Sequence, residues 1–212
     1  MKKLIPVVAA SALLLSATSV QAAGTYAFVG VGQAEYDDVS IPSGTGIKVD
    51  DNDLTYSFGI GYRFNDNFGL EGGYTDLGDF SASTAGGPVT VTDGADTLTL
   101  DGKFSADAAG FFLGVRGMMP LHEKVGVYGR AGFINWESDA KLSGTATLNG
   151  VSAAGSYSGE IADGTDPYLG LGIEYKFAKV ASVHADWSRY MLDFEGEDID
   201  VDALTLGVTL YY

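Results

Sequence analysis

Three features predict an all-β chain, an eight-stranded antiparallel up-and-down barrel that crosses a lipid bilayer. Eight segments of about ten residues alternate apolar with small or polar side chains, the period of a strand and the length of a tilted span. Short turns and long polar segments alternate strictly between them, as they do when each kind lies on its own side of a membrane. The face opposite the apolar one is rich in glycine and carries isolated charges, too small and polar to be the core of a soluble barrel.

Residues 202–212 show the pattern most cleanly. Leu204, Leu206, Val208, Leu210 and Tyr212 alternate with Ala203, Thr205, Gly207, Thr209 and Tyr211. One greasy face and one of small side chains suit lipid outside and a narrow, filled lumen inside. The first strand, residues 25–37, sets Ala27, Val29 and Val31 against Phe28, Gly30 and Gly32, and a polar segment, 38–53, follows. In the second, Tyr56, Phe58, Ile60, Tyr62 and Phe64 oppose Thr55, Ser57, Gly59, Gly61 and Arg63. Asn65-Asp66-Asn67 turns the chain at once. The third carries Phe68, Leu70, Gly72 and Tyr74 outward, with Gly69, Glu71, Gly73 and Thr75 on the other face.

Residues 76–106 read as a long loop containing a small hairpin around Asp93-Gly94. The fourth strand, 108–119, places Phe111, Leu113 and Val115 against Gly110, Gly114 and Arg116. The turn 120–124 leads into the fifth, 125–136, with Val127, Ala131 and Phe133 opposite Tyr128, Arg130 and Gly132. A second long polar segment, 137–166, carries an Asn149-Gly150 hairpin signal. The sixth strand sets Leu169, Leu171, Ile173, Tyr175 and Phe177 against Tyr168, Gly170, Gly172 and Glu174. After a three-residue turn, Ala178-Lys179-Val180, the seventh alternates Val183, Ala185 and Trp187 with Ser182, His184 and Asp186. Aromatics gather near strand ends (Phe64, Phe68, Tyr175, Phe177, Tyr212), where an interfacial girdle belongs.

Ahead of the strands, Met1-Lys2-Lys3, an apolar run and small residues before Ala22 make a secretory signal peptide. The expected division is a leader over 1–22, cut after Ala22, and a barrel over 23–212. Loss of Lys2 and Lys3 would take the net charge from −16 to −18. Such acidity argues against nucleic acid or anionic lipid headgroups as direct partners. The absence of cysteine excludes a disulfide framework and thiol chemistry.

The run from Met119 to Lys141, with Phe68-Gly-Leu-Glu-Gly-Gly-Tyr-Thr-Asp-Leu-Gly78 and Gly172-Ile-Glu-Tyr175, resembles the OmpA-like outer membrane barrel over essentially the whole mature chain. The resemblance implies an anchor in the outer membrane of a Gram-negative bacterium, with lipid and lipopolysaccharide around it and extracellular loops used in adhesion. Many members add a peptidoglycan-binding domain after the barrel; this sequence ends at Tyr212, so that activity is not carried over. The family's internal cluster of opposed charges falls here on Glu71, Arg116, Arg130, Glu174, His184 and Asp186. His184 stands where the family has an arginine. With a three-residue turn, Phe177 should face Ala181 and Glu174 should lie directly opposite His184, as a cross-strand pair.

Catalysis, cofactors and metals find little support. His122 sits in a short turn, and Ser182, His184 and Asp186 share one strand face, where side chains two apart point in parallel rather than at each other. Of 28 acidic residues, all but Asp66, Glu71, Glu123, Glu174 and Asp186 fall in the long segments or their rims. Dense patches at 50–53 and 193–202 could bridge divalent cations to lipopolysaccharide phosphates. Neither has the EF-hand order, and a solvated charged surface accounts for them more simply. The expected protein is therefore a non-enzymatic outer membrane barrel, an anchor whose acidic loops meet host or surface receptors. A narrow, low-conductance pore is the second reading.

Overall fold

In the computed structural model of the chain, the described residues are 24–36, 47–50, 52–84, 89–93, 96–194 and 197–212. The expected leader over 1–22, much of the polar segment 38–53, parts of the acidic patches at 50–53 and 193–202, and the turn residue Gly94 lie outside them. Among the described residues ten strands run in chain order: β1 (Gly24–Tyr36), β2 (Ile47–Asp50), β3 (Asn52–Arg63), β4 (Phe68–Thr84), β5 (Val89–Asp93), β6 (Asp96–Pro120), β7 (Val125–Leu148), β8 (Val151–Ala178), β9 (Ala181–Phe194) and β10 (Glu197–Tyr211). Eight of them form a ring in the order β4-β3-β1-β10-β9-β8-β7-β6, closed by the β4–β6 ladder. All its ladders are antiparallel. Closure is what lets strands sit in hydrocarbon, because every backbone N–H and C=O of the span finds a neighbour.

The outward side chains explain why this ring is stable in lipid and not in water. Ile60 and Leu206, both 66% exposed, Phe111 at 69%, and Val29, Leu113, Phe133 and Leu171 make a continuous apolar belt. Gln33, Asp107, Asn135, Thr165, Arg189 and Asp202 lie on the same outward face further along their strands and close the belt on the side of the long connections. Phe64, Phe68, Tyr175, Phe177 and Tyr212 edge it on the short-turn side.

The long polar segments 76–106 and 137–166 are mostly strand among the described residues, not loop. β6, β7 and β8 run for 25, 24 and 28 residues, so the polar stretches continue the barrel strands outward as a ribbon. At about 3.3 Å per residue, β8 alone is roughly 90 Å long, far more than a tilted span needs. Both faces of the ribbon meet water, so its strands need no apolar alternation. Threonine supplies β propensity there, and hydroxyls pair across strands, Thr90 with Thr99 at 3.3 Å and Thr147 with Ser152 at 2.8 Å. The Asn149-Gly150 hairpin is present: φ values of 49° and 85° are the left-handed pair of a two-residue type I′ turn. Asp93 pairs with Asp96, which brackets the smaller hairpin as well.

Two further features depart from the sequence reading. The connection from β8 to β9 has two residues, since Ala178 pairs with Ala181 and Phe177 is bulged out between Lys176 and Ala178. The bulge absorbs the missing turn residue, so Glu174 still lies opposite His184. The lumen is also less polar than its glycine content suggests. In its half nearer the ribbon it is packed with Phe28, Phe112, Ile134, Trp136, Tyr168, Tyr190, Leu192 and Val201, all buried. Glycines make room for these rings: a Cβ at Gly132 would meet Tyr168, and one at Gly73 would meet Phe112.

Candidate functional site: the filled lumen and its charged layer

Inward alternation brings Glu71 of β4, Arg116 of β6, Arg130 of β7, Glu174 of β8 and His184 and Asp186 of β9 into one layer of the lumen. Every one of these side chains is at most 8% exposed. Arg116 donates to Glu174 Oε2 at 2.8 Å and stands 4.0 Å from Glu71. Arg130 donates through Nη2 to Asp186, and through the same nitrogen to Ser188 Oγ at 2.7 Å, while its Nη1 lies 3.6 Å from Glu71. Glu71 thus bridges the two guanidinium groups. Carboxylates removed from water need such compensation, since a buried charge without it costs several kcal/mol.

Glu174 and His184 face each other along the backbone but do not pair through their side chains. Glu174 is taken by Arg116 and by the Tyr211 hydroxyl, which donates to Oε1 at 2.5 Å. His184 shares a hydrogen bond of 3.1 Å with Thr209 Oγ1 through Nδ1, and its Nε2 lies 3.7 Å from Asp186. That approach corrects the expectation that neighbours on one strand face only point in parallel: long side chains lean along the strand. Ser182 is not aligned with His184; its hydroxyl lies 3.5 Å from that of Tyr211. The three do not assemble a nucleophile, base and orienting acid. His122 is exposed on its turn.

Sequence reasoning missed the tyrosines. Each carboxylate of the layer accepts one tyrosine hydroxyl: Tyr26 to Glu71 at 3.2 Å, Tyr128 to Asp186 at 3.1 Å, and Tyr211 to Glu174. Tyr128 also lies under Arg116, whose guanidinium carbon is 3.7 Å from the ring centre. The signal was there, because all three fall on the glycine-bearing face of their strands. Tyrosine fits a girdle or a core equally well, however, and so drew no attention.

From the charged layer an aromatic row runs on into the half of the lumen nearer the ribbon. Ring centres step from Tyr211 to Tyr26 (6.0 Å), Phe28 (6.3 Å), Phe112 (6.2 Å), Tyr168 (5.6 Å) and Tyr190 (5.6 Å). Rings at these spacings lie in packing contact. Among the described residues no group of three or more His, Cys, Asp or Glu is placed to hold a metal ion.

Outside the lumen, the ladder between β8 and β9 ends at Tyr168 opposite Tyr190, while β8 stays paired to β7 back to Val151. Residues 151–167 of β8 therefore form an open edge on the ribbon among the described residues.

Several solved structures are similar to this chain. The attachment invasion locus protein Ail of Yersinia pestis is 18% identical, with 89% of this chain and 99% of that one covered and a TM-score of 0.49. OprG of Pseudomonas aeruginosa is 17% identical, with 89% and 97% covered and a TM-score of 0.48. Neisserial surface protein A is 15% identical, with 91% and 100% covered and a TM-score of 0.47. No curated protein matches. The family described as outer membrane protein beta-barrel domain matches residues 5–211, and with its closed ring of eight antiparallel strands the chain belongs to that family, as an OmpA-like barrel of the bacterial outer membrane.

Proposed function

We propose that this barrel is a non-catalytic anchor that carries a recognition ribbon at the cell surface. The observation that carries the reading is the open edge of β8 over 151–167. An unpaired edge offers a row of N–H and C=O groups to any extended peptide, which adds as a further strand. Natural edges are usually blunted by lysine, proline or a bulge; this one has a bulge at Ile161 and a proline at its inner end, Pro167, but 151–160 contains no Lys, Arg, Pro or bulge. Val151 and Tyr157 are 76% and 65% exposed and supply side-chain contact beside the edge. The partner that fits is an extended segment of a host or surface protein. The acidic residues around the ribbon disfavour polyanions. In the same reading residues 1–22 are a leader removed after Ala22.

The experiment compares attachment of bacteria displaying the protein with attachment of bacteria displaying Ser156→Lys/Ser158→Lys, on surfaces coated with extracellular matrix proteins. The edge variant should assemble and reach the surface normally yet lose attachment. Undiminished attachment by that variant would remove the edge from the reading. The filled lumen supports an anchor over a narrow pore.

A further inference from the structure

The short-turn mouth of the lumen holds a cavity of about 240 Å³ lined by Arg63, Arg116, Lys124, Lys176, His122 and Glu174, among others. Arg63 is 8% exposed, and its Nε–H has no acceptor. Among the described residues its guanidinium makes no hydrogen bond and no ion pair. It rests on the Tyr211 ring, 4.4 Å from the centre, and Lys176 Nζ lies 5.9 Å from the same centre. Arg116 also lines the cavity and carries a second buried Nε–H without an acceptor. Gly69 pairs with Arg63 on one side and Arg116 on the other, so no side chain stands between the two. Asp66 and Glu123 also line the cavity, but they are exposed on their turns and make no ion pair with Arg63. Glu174 is already held by Arg116 and Tyr211.

Buried guanidinium groups ordinarily meet carboxylate or phosphate oxygens, whose geometry matches their donor fork. Two residues that line one cavity each carry a buried Nε–H without an acceptor, and Arg63, unlike Arg116 and Arg130, has no carboxylate against its charge among the described residues. We propose that this cavity binds a single oxyanion, a carboxylate or phosphate group, between Arg63 and Arg116, with Lys176 at its rim. The group enters from the side of the short turns. Its source is either a soluble or cell-wall anion or the phosphate of a neighbouring lipid headgroup, because the mouth lies at the level where headgroups begin.

The test uses the barrel refolded in a maltoside detergent, which carries no phosphate of its own, with the amide resonances of Gly69 and Gly126 as reporters. Inorganic phosphate and acetate are titrated against chloride at matched ionic strength. Saturable shifts with an oxyanion but not with chloride are expected. Arg63→Gln should weaken that binding about tenfold or more, and Arg63→Lys should restore only part of it. Lys103→Gln, on the ribbon, should leave it unchanged. Heat-shifted gel mobility checks that each variant has folded. Nanodiscs of phosphatidylglycerol separate the sources: if the reporters already sit at their bound positions and phosphate moves them no further, the headgroup is the ligand. If they titrate as in detergent, a soluble anion is. Linear shifts equal to those in chloride, or shifts indifferent to Arg63→Gln, would overturn the proposal and leave the mouth filled by water alone.

Discussion

Glu174 is where the charged layer depends most on a single side chain. It takes a guanidinium hydrogen bond from Arg116 at 2.8 Å and a tyrosine hydroxyl at 2.5 Å, yet only backbone proximity ties it to His184. Removing one partner of a buried pair leaves the other charge uncompensated, which costs about 3–5 kcal/mol, more than the pair itself is worth. Glu174→Gln should therefore destabilise the barrel on that scale in urea titrations of protein refolded into vesicles. Arg116→Met should cost a similar amount, and the double variant less than the two added, with a coupling of about 0.5–3 kcal/mol. Coupling between Glu174→Gln and His184→Ala should be smaller. A larger value for the histidine pair would mean that backbone register, and not the rotamers described above, decides the partners. The register itself could be read from alternation, but the choice among partners could not: a glutamate side chain reaches several strands, and the lumen offers it two arginines, a histidine and a tyrosine.

At the scale of the strand, β6 shows why spans were legible and the ribbon was not. Phe111, Leu113 and Val115 must each face hydrocarbon, so every second position is fixed and the pattern is visible. Beyond Asp107 both faces meet water, the constraint lapses, and the residues look like a loop although they pair in register with β7 back to Leu98. Only local turn chemistry survived, as at Asn149-Gly150. Asp107 marks the root of this ribbon, beside Asp79 of β4 and Asp139 of β7 in the ladders. Partial burial, and then the charges of Asp79, Asp139 and Asp76, push its carboxyl above the usual range, with Lys141 at 3.7 Å opposing them. A carboxyl raised on folding favours the folded state fully below its unfolded value of about 3.9, and that contribution is lost as pH rises through the folded value. Asp107→Asn should accordingly stabilise the ribbon root at neutral pH and leave it unchanged near pH 3. The gain should stay within roughly 1 kcal/mol, because the side chain is 36% exposed and water screens it. Hydrogen exchange of β6 and β7 amides at the two pH values measures it; destabilisation at neutral pH would mean that the Lys141 pairing outweighs the acidic neighbours.

For the whole molecule, the decisive property is that the lumen is filled by two layers in series, a hydrogen-bonded charged layer and an aromatic row. An ion crossing the row from Phe28 through Phe112 to Tyr168 would have to shed its water among rings, at a cost on the order of tens of kcal/mol before relaxation. The charged layer cannot open by rotating one side chain, since Arg116 and Arg130 both face Glu71 and each holds a second carboxylate. The full barrel in planar lipid bilayers should therefore be electrically silent, and it should resist SDS until boiled because the ring leaves no edge in the span. Thinning the row is the informative perturbation. Phe112→Ala with Tyr168→Ala removes two adjacent links while leaving every residue of the charged layer in place. If the aromatic row is what excludes water from that half, the double variant should hydrate it without conducting, and conductance should need Glu71→Ala as well. Steady ion-selective conductance from the unaltered protein would contradict this account and favour the narrow pore. Conductance from the aromatic variant alone would show that the charged layer is not a barrier by itself.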